Sequence, residues 1–230
     1  MTTDLYDVWW TDASEGEQVM EDTHHRHWQK VVDMLVETDL RSSTVLDFGC
    51  NQGGLLRFLY RQRPFARAVG VDLARKSVEV ATARRGDLPI TYVATSTLQP
   101  YAGQFDLTIS SAVIYLIGDL EHHAREIRQA LKPGGVYYAT YSDYRANPSL
   151  PLMREIINRH GAVRMHEHAL DDIARAFQGQ GFAVSLRLRP PEGYIPVTLP
   201  DRFFQSVADR MLYEYAQAYI FRFVAPGRAA

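Results

Sequence analysis

The stretch Val45-Leu-Asp-Phe-Gly-Cys-Asn-Gln-Gly-Gly-Leu-Leu56 constrains the fold of this chain more than any other. Val45, Leu46 and Phe48 are apolar strand formers, with Asp47 near the strand's end. Gly49-Cys50-Asn51-Gln52-Gly53-Gly54 reads as a turn, and Leu55, Leu56 and Leu59 resume as the apolar side of a helix. A strand, a glycine turn and a helix start gather backbone N–H groups around one small space. Gly49 and Gly53 let a ligand approach the backbone because no Cβ intrudes. Asn51 stands where a third glycine is expected, and asparagine tolerates left-handed backbone angles. Nineteen residues after Gly53 comes Asp72, at the end of the apolar run Ala68-Val-Gly-Val71. An acid there, on the tip of the next strand, suits a pair of ribose hydroxyls. Without Asp72, the glycine turn alone would read equally as a tight strand–helix connection.

From Val45 the pattern alternates. It predicts strands at 44–48, 67–72, 90–94, 105–111 and 135–141, and helices at 54–62, 74–84 and 119–131. Asp119 is the expected N-cap of the third helix, and Lys132-Pro-Gly-Gly135 its stop. A helix near 168–179 ends at Gly179-Gln-Gly181, and strands follow near 182–188 and at 219–224. Such alternation implies right-handed crossovers and a mostly parallel sheet covered on both faces. The whole chain, 1–230, reads as one domain: an N-terminal arm at 1–43, a ligand-binding half at 44–141, and insertions with the last strands at 142–230. Segments 1–43, 142–166 and 189–218 lie outside the regular core, the last with a helix from about Pro200 to Tyr215. Long insertions in compact domains are commonly lids or interfaces. Residues 1–30 are expected to form a lid outside the folding core.

At 230 residues with a net charge of −2, the chain has no electrostatic handle for a polyanion. Its single cysteine, Cys50, excludes an internal disulfide and fits a reducing compartment. The N-terminus is polar and acidic, and no run approaches membrane-spanning length. A cytoplasmic protein without membrane partners, monomeric or homodimeric, is the expectation.

Four ordered motifs resemble a class I S-adenosylmethionine-dependent methyltransferase of the small-molecule type. They are Val45-Leu-Asp-Phe-Gly-Cys-Asn-Gln-Gly53, Val69-Gly-Val-Asp-Leu-Ala74, Phe105-Asp-Leu-Thr-Ile-Ser-Ser-Ala-Val-Ile-Tyr-Leu116 and Leu131-Lys-Pro-Gly-Gly-Val136. The resemblance covers about 44–141, and Gly179–Phe182 adds a fifth point. It implies a Rossmann-like seven-stranded sheet of order 3-2-1-4-5-7-6, strand 7 antiparallel, with S-adenosyl-L-methionine as cofactor and S-adenosyl-L-homocysteine as product. By the resemblance, Asp47 orients the turn and meets the methionine ammonium. Gly49, Asn51 and Gly53 pass the methionine and ribose. Asp72 and Leu73 flank the ribose, Thr95 and Ser96 meet the adenine where many members place an acid, and Ser110 and Ser111 line the sulfonium side.

Methyl transfer from a sulfonium needs positioning and water exclusion, and a base only for a hydroxyl, thiol or protonated amine acceptor. His24, His25, Tyr115 and Asp143 are candidates for catalytic roles. Tyr6, Trp9, Trp10, Tyr115, Tyr141 and Tyr144 are candidates for contact with the acceptor. The paired histidines lack a metal-binding motif, so no metal is expected. Ile109-Ser-Ser-Ala112 is not the box of methylases acting on exocyclic amines, so nucleic acid is not expected as substrate. A small-molecule acceptor is the leading reading, with a protein side chain or terminus second. The glycine turn with Asp72 also fits a NAD-dependent oxidoreductase, although G-x-G-x-x-G spacing is missing. A non-catalytic binding protein of the same fold is a third class.

Overall fold

The computed structural model describes residues 17–160 and 163–227. The elements run α1 (Glu17–Met34), β1 (Leu40–Phe48), α2 (Gly54–Gln62), β2 (Phe65–Asp72), α3 (Arg75–Arg84), β3 (Ile90–Ala94), β4 (Phe105–Ser110), α4 (Leu120–Ala130), β5 (Leu131–Ser142), α5 (Leu150–His160), α6 (Leu170–Gln178), β6 (Ala183–Leu188), α7 (Val207–Leu212) and β7 (Ala218–Val224). Short 3₁₀ turns lie at Gln99–Tyr101 and Ile114–Leu116, and a π-helical turn at Tyr213–Gln217.

One seven-stranded sheet has the order β3-β2-β1-β4-β5-β7-β6. Its first five strands are parallel, and β7 runs antiparallel between β5 and β6. Successive strand residues face opposite layers, as the pleat requires. Val45 and Tyr138 join a core with Trp28 and Val31 of α1, Leu35 just after it, and the leucines of α2. Leu46, Tyr137 and Phe223 join the other core, with Ile127 of α4 and Phe177 of α6. Both faces are therefore covered, and strands such as β4 carry apolar residues toward each.

Four local expectations are corrected. Strand β1 begins at Leu40, which pairs with Phe65 across a register shift before Thr44. Strand β5 begins at Leu131, so Lys132-Pro-Gly-Gly135 is absorbed as an irregularity between the Phe105 and Leu107 pairings. The predicted helix from Pro200 starts only at Val207, where the Ser206 hydroxyl accepts from Asp209 N–H. Upstream, the Asp201 carboxylate accepts from Phe203 and Phe204 N–H at 2.8 and 3.2 Å, a local alternative to helix. Finally, Trp28, Val31, Val32 and Leu35 are core residues, so the lid reading of residues 1–30 stops short of Trp28. Asp119 caps α4 as expected, accepting from His122 N–H at 2.9 Å.

The end of α1 is pinned to the sheet through Tyr138. Val36 N–H donates to its Oη at 3.0 Å, and Arg222 Nε does so at 2.9 Å. The phenol donates to Glu37 Oε2 at 2.8 Å, and Arg222 Nη2 closes on Glu37 Oε1 at 3.0 Å. Tyr138→Phe deletes three of these bonds and strands their partners, and should destabilise the fold by about 1–3 kcal/mol. Urea unfolding, with an unchanged slope and a lower midpoint, checks this.

Candidate functional site

The turn after β1 is held to the tip of β2 by backbone and side chain together. Gly49 and Cys50 N–H both donate to the Val71 carbonyl, at 2.8 and 3.0 Å. Asn51 N–H donates to Asp72 Oδ2 at 2.8 Å, and Ala74 N–H donates to Oδ1 at 2.9 Å. Gly49 and Asn51 adopt left-handed angles, φ 80° and 45°. A Cβ on Gly49 would lie 2.4 Å from Val113, so this glycine is required twice. Gly54, opening α2, lies so close to Trp28 that a Cβ would meet its ring at 2.1 Å. Tyr92 underlies the turn, its hydroxyl donating to the Gly53 carbonyl at 2.9 Å.

Beside this turn lies a cleft of about 730 Å³, at the carboxyl ends of the parallel strands. Asp47, Gly49, Asn51, Asp72, Leu73, Thr95, Ser96, Ser111 and Tyr115 of the expected site all line it, as does His24. Gly53 is set back as the N-cap of α2. Ser110 is fully buried behind the strand tip. His25 packs against the rings of Trp28 and Phe58. Asp143 is paired with Arg145 at 2.8 Å, and the Arg145 hydrogen bonds hold its carboxyl below the ordinary value. Tyr141 is buried in the core, and its hydroxyl is committed to the His168 carbonyl at 2.6 Å. Tyr144 stacks on Tyr213 at 5.4 Å and is not among the residues lining the cleft. Tyr6, Trp9 and Trp10 lie outside the described residues.

The two aspartates of the cleft differ. Asp72, not Asp47, ties the turn, which corrects one expected role. Asp47 is 2% exposed and, among the described residues, receives no hydrogen bond. Burial, and then the charge of Asp72, raise its pKa to about 8. Burial also raises Asp72, opposed by the backbone N–H groups of Ala74, Asn51 and Leu73. Asn51 Oδ1 is buried in the cleft wall with no partner among the described residues.

Next to Ser111, at the tip of β4, lie two groups that the expected site did not include, His27 and Arg189. His27 Nε2 lies 2.8 Å from Ser111 Oγ, and Arg189 Nη1 lies 3.4 Å from His27 Nδ1. Desolvation, and then Arg189, push His27 down to about 3. Burial raises the Tyr115 phenol to about 12. Arg57, 4% exposed, lines the cleft beside the turn and donates to the Gln52 carbonyl at 2.7 Å. Neither His27 nor Arg189, 162 positions apart, was among the expected site residues. Among the described residues, no three His, Cys, Asp or Glu side chains converge to hold a metal ion.

Comparison with known proteins places residues 20–186 in the methyltransferase domain family. The malonyl-[acyl-carrier protein] O-methyltransferase of Anoxybacillus flavithermus is 27% identical over 148 residues, 54% of this chain and 57% of that protein. The trans-aconitate 2-methyltransferase of Paracidovorax citrulli is 29% identical over 116 residues, 50% of this chain and 45% of that protein. The chain thus spans about half the length of the curated relatives it matches. Its fold matches a chain from the complex between the Haloferax volcanii Trm112 methyltransferase activator and a methyltransferase. That match has a TM-score of 0.80, covers 96% of this chain and 97% of the other, and has 22% identity.

Asp47 makes a pH-dependent contribution to stability. Between its ordinary 3.8 and about 8, the folded chain holds a proton that the unfolded chain has released. The unfolded state then binds fewer protons, so stability falls as pH rises through this window. Asp47→Asn should raise the melting temperature of the ligand-free protein at pH 8 by roughly 5 °C or more, with the gap closing toward pH 4. Thermal unfolding across this range checks both sign and window.

Proposed function

We propose that this chain, which belongs to the methyltransferase domain family as a class I S-adenosylmethionine-dependent methyltransferase, methylates a carboxylate oxygen of a small acid. The observation that carries the acceptor class is the geometry at Ser111, whose hydroxyl lies 2.8 Å from His27 Nε2 with the buried Arg189 guanidinium behind that ring. His27 is held near 3 and Tyr115 near 12, so neither takes a proton from an acceptor at neutral pH. A carboxylate needs none taken, because it is already ionised and nucleophilic. Malonyl and aconitate, in the names of two relatives, are both carboxylic acids, which supports the reading.

The donor end fits the cofactor. Asp47 is a buried carboxyl awaiting a cation, and the methionine ammonium supplies one. Asp72 lines the cleft with lone-pair capacity left beyond the backbone N–H groups that hold it, and accepts from the ribose hydroxyls in this reading. Leu73, Thr95 and Ser96 would flank the adenine, and Gly49 leaves the backbone open to the methionine portion. When bound, S-adenosylmethionine supplies an activated methyl group on a sulfonium. The residues then have two tasks, holding the acceptor in line and keeping water out. The nicotinamide reading lapses with the family. A carboxyl presented on a protein, such as a carrier-bound acid, is the second reading, since one relative acts on an acyl-carrier protein.

Calorimetry should show binding of S-adenosylmethionine and S-adenosylhomocysteine, and none of NAD. Affinity for the first two should rise with pH toward about 8, because Asp47 must lose its proton to meet the ammonium. Asp72→Ala should weaken both by roughly ten- to a thousandfold, about 1.4–4 kcal/mol. It should also lower the melting temperature, since Asp72 holds the turn. Asp72→Asn should be milder, and Cys50→Ser should cost much less. A screen with methyl-labelled donor against small carboxylic acids and matched alcohols tests the acceptor class. Transfer to the alcohols alone would defeat it.

A further inference from the structure

Arg189 is 6% exposed, and among the described residues no carboxylate pairs with it. It follows β6 directly. Its N–H donates to the Ala218 carbonyl at 2.8 Å and its Nε to the Tyr219 carbonyl at 3.1 Å. These bonds aim the guanidinium at His27, on α1. A guanidinium donates and never accepts. The Nδ1 facing it must therefore carry the lone pair, and neutral His27 carries its proton on Nε2. That N–H donates to Ser111 Oγ, 2.8 Å away. The Ser111 hydroxyl proton is then free to turn into the cleft that the residue lines.

We propose that Arg189 is a positioning residue that fixes the tautomer of His27 and thereby makes the Ser111 hydroxyl a hydrogen-bond donor to an anionic acceptor oxygen. The inference rests on the methyl-transfer reading and deepens it by naming what recognises the acceptor. Three groups on three distant segments act in series: a buried cation, a neutral imidazole and a hydroxyl. A buried cation without a counter-ion is costly, and an anion arriving at the far end of the chain offsets part of that cost. The arrangement also gives His27 a donor's role, not a base's.

The test uses protein labelled with ¹⁵N in its histidines and saturated with S-adenosylhomocysteine. Two-bond proton–nitrogen spectra distinguish the two neutral tautomers from imidazolium, and the His27 signals are those lost in His27→Gln. His27 should be neutral and protonated on Nε2 from pH 8 down to pH 5, with Arg189, His24 and Lys30 facing it. Arg189→Met should release the ring to a tautomer mixture or to titration above pH 5, and Arg189→Lys should restore the Nε2–H form. An Nδ1–H tautomer in the wild type, or an unchanged spectrum in Arg189→Met, would overturn the assignment. Acetate is then titrated in as the simplest carboxylate probe. It should shift the His27 Nε2 resonance before those of the other histidines, and should fail to do so in Ser111→Ala. No such shift in the wild type would defeat the anionic acceptor. If S-adenosylhomocysteine does not bind, the methyl-transfer reading falls by itself, and the tautomer in the free protein still decides the role of Arg189.

Discussion

The Asp72 carboxylate, clamped between Asn51 N–H and Ala74 N–H, is the constraint on which the cleft depends. Asn51 holds a left-handed backbone angle that a non-glycine residue seldom visits, and it persists only when surrounding bonds over-determine it. The clamp, with the Val71 carbonyl, makes the turn and the tip of β2 one rigid object. From there rigidity passes on by contact. The turn places Gly54, Gly54 seats Trp28, and Trp28 fixes α1, which carries His27. A carboxylate on one strand thus helps to locate an imidazole on a helix that precedes the sheet.

The cleft wall carries both signs of charge, with Arg57 and Arg84 lining it alongside Asp47 and Asp72. The two carboxyl groups lie near the turn, close enough that the charge of Asp72 raises Asp47. Next to Ser111, a buried guanidinium stands behind a neutral ring. Under the proposed function, a donor carrying a sulfonium and an ammonium goes beside the two carboxyl groups, and an anionic acceptor beside Ser111.

What the sequence disclosed follows from the range of each interaction. The turn, Asp72 and the strand alternation depend on neighbours in the chain, so motif spacing located them. Asp119 was legible as a cap for the same reason. Asp201 was not, because helix-forming residues downstream concealed a turn bound by a single side chain. Asp47 was expected to orient the turn, and only the fold reveals that it is Asp72 that meets the Asn51 amide. His27 and Arg189 stand 162 positions apart, and nothing local to either announces the other. Tyr141 and Tyr144 were drawn to the cleft by their place on a strand edge, and neither lines it.

The position of β7 bears on how the molecule is made. Strand β7, the last in the chain, lies between β5 and β6. While the chain emerges from the ribosome, β5 has no neighbour on that side, and β6 has nothing to pair with until β7 arrives. The five parallel strands, the turn and Asp72 are all synthesised earlier and have their partners by then. The half that suits a nucleoside can therefore assemble first. Arg189 is aimed by the carbonyls of Ala218 and Tyr219, which belong to β7. The guanidinium behind His27 is thus set only once β7 is in place, after the strands that carry the turn and Asp72 have been made.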